Sequence, residues 1–145
     1  MTSNLKLLTV LAFFILFGLA VFGFAEEARS KGKKIKVTLR SQFYKNSDLT
    51  NIKLNHPIKI SQTVIANHLV SLRYKGTFLG DKEEPVFLSS EVQTLAPILY
   101  RAFLEVVPEK IIHIQLKSVG GITSGDIFSF KNYLNWRFDS IRGET

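Results

Sequence analysis

The chain contains no cysteine among its 145 residues. That absence excludes a disulfide scaffold, thiol catalysis, a cysteine-ligated metal and the lipidated cysteine of a bacterial lipoprotein. The fold must therefore rest on burial and hydrogen bonding. Histidine is scarce too: His56, His68 and His113 are the full set. No two of them stand at the close spacing of a zinc site, so neither a metal nor any other cofactor is expected. No Asn-x-Ser/Thr acceptor occurs, and nothing hints at glycosylation along a eukaryotic secretory route.

Acidic residues are under-represented, 12 against 19 Lys and Arg, and the shortage is local. Glu26 to Ile60 holds nine basic residues and three acidic ones, whereas Ser61 to Thr145 holds nine of each. An electrically balanced bulk argues against a nucleic-acid partner. The basic stretch also lacks the interleaved aromatics of a single-strand platform.

Long apolar runs are absent but for one. Leu7 to Ala25 is uncharged, interrupted only by Thr9 and preceded by Lys6 and the free amino terminus. Gly23 and Ala25 put small residues at the −3 and −1 positions of a cut before Glu26. A basic start, an apolar middle and a small-residue exit make a secretory signal. The run has 19 residues, and at 1.5 Å per residue a helix of that length reaches about 28 Å. That nearly spans a ~30 Å hydrocarbon layer, so an uncleaved anchor is the alternative. Arg29, Lys31, Lys33 and Lys34 follow the run and pull toward the cytoplasmic side. The expected location is exported, periplasmic or extracellular, with anchoring through residues 7–25 left open, and a bacterial envelope is the economical setting.

The expected organisation is a signal peptide or anchor over 1–25, a flexible basic linker over 26–34 and one domain over 35–145. Ile35, Val37 and Leu39 alternate with polar residues, which predicts a strand. Ile52 to Ile60 reads as a second extended segment, with Pro57 holding His56 out of helical geometry. Ser61 is a candidate cap for a helix with Val64, Ile65, His68, Leu69 and Leu72 along its stripe. Arg73 to Leu79 and Val86 to Leu88 read as extended. Ser90 with Gln93 matches a capping box ahead of the stripe Val92, Leu95, Ala96, Leu99, Ala102, Phe103 and Val106. Pro97 should bend that helix and Pro108 should end it. Ile111 to Leu116 is a central strand, and Ile127 to Phe130 with Tyr133 to Phe138 is a hairpin. The fold class is α+β: a small, mostly antiparallel sheet with two helices packed on one face, ending in a β-hairpin.

No catalytic constellation emerges, and the chain reads as a non-enzyme. Gly120 to Asp126 reads as a flexible turn, and its lack of the phosphate-loop lysine argues against a nucleotide cradle. A hydrolase using Ser124 with His113 is the weakest option, because Ser124 lacks the strained Gly-x-Ser-x-Gly turn. Asp126 and Asp139 are assigned to salt bridges with Arg137 or Arg142. The leading functional expectation is an interaction domain of the envelope that binds a protein partner, with an unpaired strand of the terminal hairpin accepting a partner strand. The alternative is binding of anionic lipid or polysaccharide through Arg29, Lys31, Lys33, Lys34 and Lys36, each basic residue contributing about 1 kcal/mol beside an anionic membrane.

Overall fold

The structure is a computed structural model that describes residues 25–30, 33–44, 48–77 and 82–145. The Leu7–Phe24 run and Lys31 lie outside the described residues. Among those described, no helix is long and apolar enough to cross a membrane.

Among the described residues seven strands and two helices follow in the order β1 (Ala25–Ser30), β2 (Lys33–Ser41), α1 (Gln62–Ser71), β3 (Arg73–Tyr74), β4 (Glu84–Pro85), α2 (Ser89–Glu105), β5 (Lys110–Ser118), β6 (Gly121–Phe130) and β7 (Tyr133–Ser140). A 3-10 turn, Asp48–Asn51, lies between β2 and α1. The main sheet is antiparallel throughout, in the order β1-β2-β5-β6-β7, and β3 pairs with β4 apart from it. The fold is α+β, as the hydrophobic periodicities require.

The two helices arise from local signals. Ser61 caps α1, its Oγ accepting the Val64 N–H at 3.2 Å. Ile65 and Leu69 are the buried residues of that helix, and Val64 is exposed. The α2 stripe is buried in full from Val92 to Val106, and the helix runs as one element through Pro97. Its start differs from the expected capping box. The cap is Leu88, whose N–H donates to Glu91 Oε2 at 2.8 Å, and Ser90 lies inside the first turn. A carboxylate at this position also favours the positive end of the helix dipole.

Alternation along the strands separates two faces. Ile35, Val37, Ile112, Ile114, Leu116 and Ile127 face the helices and form the main core with Leu95, Leu99 and Phe103. Leu134, Trp136 and Phe138 of β7 close its side. On the opposite face Ile111 and Phe128 are covered by Leu49 and Leu54 from the long connection after β2. Gln42 pins that connection, its Nε2 donating to the Leu49 and Ile52 carbonyls at 3.1 Å each.

Three expectations are corrected. The stretch read as a flexible basic linker contains β1 and the start of β2, paired from Ala25↔Thr38 to Ser30↔Lys33. Its polar sequence hides a strand because β1 sits at the sheet edge, where pairing on one side suffices. The Gly120–Asp126 stretch is not a loop, since Gly121 onward belongs to β6. Ile52 to Ile60 forms no strand and carries a cis His56-Pro57 bond.

Candidate functional site

The helix-free face carries a polar centre built by register. His113 on β5 stands opposite Asp126 on β6, and Asp126 opposite Arg137 on β7. Asp126 Oδ1 lies 2.9 Å from His113 Nδ1, while its Oδ2 accepts from Arg137 Nη2 at 2.7 Å. Arg137 Nη1 reaches on to Asp48 Oδ1 at 2.6 Å. His113 and Asp126 are buried, whereas the Asp48 side chain is 80% exposed. Burial pushes the Asp126 carboxyl up, but the hydrogen bonds and charges of His113 and Arg137 outweigh it and hold the group below its ordinary value. The bond to Asp126 raises Arg137 above its own ordinary value against the effect of burial. The expected Asp126–Arg137 salt bridge is thus present.

Ser124 does not join this centre. Its Oγ lies 3.1 Å from Ser140 Oγ, and among the described residues no hydrogen bond links it to His113. The other histidines have partners elsewhere. His68 Nε2 accepts the Trp136 Nε1–H at 2.8 Å, tying α1 to β7. His56 Nε2 accepts the Ser129 N–H at 3.3 Å. Burial lowers the pKa of both, that of His56 to about 4.

The five basic residues expected to form one anionic-ligand surface are divided by the hairpin. Lys34 and Lys36 are exposed on the helix-free face, and Lys33 points the other way, donating from Nζ to Ser90 Oγ at 2.6 Å. Arg29 stands in register with Lys34, and Lys31 lies outside the described residues. A residue the sequence reading missed joins the first pair: Lys117, exposed, directly opposite Lys34. Only the β2–β5 register reveals it.

The remaining feature is the outer edge of β7. Phe130 and Tyr133 close a two-residue turn. Such a closing pair exchanges both backbone hydrogen bonds, and successive pairs then alternate. The N–H and C=O groups of Leu134, Trp136 and Phe138 therefore point away from β6. Among the described residues none bonds to them. A recess of about 380 Å³ opens beside Leu134, lined also by Ile58, Lys59 and Lys131. Another of about 240 Å³ opens beside Phe138, lined also by Tyr74, Lys75 and Glu144.

Comparison with known protein families, with curated proteins and with solved structures gives no match to this chain.

Proposed function

We propose that this chain is a non-enzymatic interaction domain of the bacterial envelope, exported or held at the membrane by residues 7–25, that takes up an extended segment of a partner protein along β7. The observation that carries this reading is the geometry of that edge. Three successive outward-facing residues present backbone donors and acceptors on a strand whose register is fixed by Trp136 and Phe138 in the core. Recesses at both ends offer places for partner side chains. The opposite edge, β1, reads AEEARS, and three charges in six residues are the usual defence of an edge against strand pairing. In strand addition the main-chain bonds give affinity and alternate side chains give specificity.

Tyr133 is 71% exposed at the start of β7. A photo-cross-linking residue placed there in the full chain is expected to capture an extended segment of one envelope protein, identified by mass spectrometry. Leu134→Pro removes an outward N–H without touching the β6 ladder, and is expected to reduce that adduct at least about tenfold, as loss of a strand-pairing bond plus a steric block requires. Circular dichroism checks that the variant is folded. An adduct undiminished in the folded proline variant would overturn the reading. Deleting Ile127 to Thr145 is no substitute, because it removes Ile127 from the core together with the end of β6 and the whole of β7.

Lys117 favours a second reading, in which the helix-free face meets an anionic surface. It extends Lys34 and Lys36 into a cationic group fixed on the sheet. The group does not sit at the exit of the leader: Lys34 is paired four positions along the strand from the Ala25↔Thr38 pair, about 13 Å at a strand's rise. That exceeds the ~8 Å Debye length at physiological salt, so only a domain lying flat would bring the three charges to lipid. Sedimentation of the full chain with anionic vesicles is then expected to weaken with salt and on replacing Lys34, Lys36 and Lys117 by Gln. Sedimentation indifferent to both changes would remove this reading.

A further inference from the structure

The two ends of the β7 edge differ in charge. Beside Leu134 the recess brings Lys59 and Lys131, both exposed, and no acidic residue. Beside Phe138 the other recess brings Asp139 and Glu144 against one base, Lys75. Glu144 Oε2 accepts the Thr77 N–H at 2.8 Å, which holds its carboxylate at that end. Among the described residues none of Lys59, Lys131, Asp139 and Glu144 makes an ion pair. A strand added antiparallel to β7 therefore meets positive charge at its own C-terminal end and net negative charge at its N-terminal end.

β7 itself has the polarity such a strand needs. Turned about a two-fold axis, a second β7 runs antiparallel to the first and lays each end of the edge against the opposite end of the other. The outward-facing residues fix the register. With Trp136 opposite the partner's Trp136, Leu134 stands opposite the partner's Phe138, and Phe138 opposite the partner's Leu134. Each of these pairs exchanges two backbone hydrogen bonds, so every outward group of the edge finds a mate. Sliding one way sets Arg137 against the partner's Arg137, and sliding the other way carries Phe138 into the partner's β6–β7 turn. On the helix-free face the central register puts Tyr133 opposite the partner's Asp139 and Asn135 opposite the partner's Arg137, with no like charges facing. On the helix side Leu134, Trp136 and Phe138 are half-buried at the margin of the core, and the same residues of a second copy would extend that margin.

We infer that the chain forms a two-fold dimer through β7, joining two five-stranded sheets into one antiparallel sheet. The inference rests on strand addition at β7 and names the partner: the extended segment taken up is β7 of a second copy. The two-fold axis repeats each contact between Lys59 or Lys131 and the acidic end, so complementary charge acts twice and fixes the orientation.

The absence of cysteine allows a single spin label, attached at Tyr133→Cys, where the native side chain is 71% exposed. In the dimer the two labelled Cα atoms stand about 20 Å apart along the strands, against about 13 or 27 Å in the neighbouring registers. Dipolar electron-spin spectroscopy of the full chain in non-ionic detergent is expected to give the 20 Å separation (about 20 Å at a strand's rise), and Leu134→Pro is expected to abolish it. Lys59→Glu with Lys131→Glu should weaken dimerisation about tenfold, and adding Asp139→Lys should recover much of the loss. Dimerisation indifferent to these reversals overturns the assigned orientation. A coupling that survives the proline substitution puts the contact on another face and overturns the inference. A monomeric chain whose Tyr133 cross-linker captures a different protein overturns self-pairing and leaves strand addition standing. A monomer that captures nothing overturns both.

Discussion

Alanine at position 125 is expected to destabilise the protein by about 3 kcal/mol, the upper end of the usual cost of overpacking. A methyl group built on Gly125 would stand 2.5 Å from the Arg137 carbonyl oxygen and 2.9 Å from the Phe138 Cα. Both are backbone atoms and cannot rotate aside. Gly125 sits where the β6–β7 register shifts, so its hydrogen lets the two strands approach closely beyond the irregularity. Relief of the clash must push β7 outward, loosening the Asp126–Arg137 pair and lifting Trp136 from the core. Thermal unfolding should report a midpoint lower by roughly 10 °C for a domain of this size. Gly120→Ala is the control, because its added methyl would meet nothing nearer than 3.9 Å. Equal losses in the two variants would defeat the packing argument.

The second large effect is acid lability well above the range in which carboxylates titrate. His56 has a pKa lowered from 6.5 to about 4 by burial. As the pH falls below 6.5 the unfolded chain takes up a proton that the folded chain refuses, and stability drops until the folded pKa is reached. Linkage converts that interval into about 3 kcal/mol between pH 7 and pH 4. The physical event is a conflict of donors, since a protonated Nε2 would face the Ser129 N–H that it now accepts. His68 acts in the same direction, because its neutral Nε2 accepts from Trp136. The Asp126 carboxyl adds a further loss below its ordinary range, where the unfolded chain again protonates first. Urea unfolding midpoints at pH 7, 5.5 and 4 should fall steadily, and His56→Gln should remove much of the slope. A flat profile from pH 7 to 5 would contradict the burial of both histidines.

Elements whose cause is local were legible from the residues. The α2 stripe, the Ser61 cap and the β-branched run of β5 each carry their own periodicity or cap. Trp136 and Phe138 share a face because alternation requires it. Long-range register was not legible. His113 meets Asp126, and Lys117 meets Lys34, only because particular strands pair at particular offsets. β1 misled because a charged edge strand has the composition of a tether. Gly125 misled in another way: four small or turn-forming residues nearby read as a loop, although an isolated glycine within a strand marks close backbone approach.

The placement of β5 at the centre of the sheet also governs when the protein becomes a fold. β2 has β1 as its neighbour on one side and must wait for β5 on the other, with both helices intervening in the chain. Until Lys110 to Ser118 has emerged, β1 and β2 form a two-stranded ribbon, which is marginal in water, and the helix stripes have no sheet to cover. Such non-local closure folds slowly. Under the proposed export, a chain threaded across a membrane has to remain unfolded until it is through, and the topology delays folding until the last quarter of the sequence, from Lys110 onward, is being made.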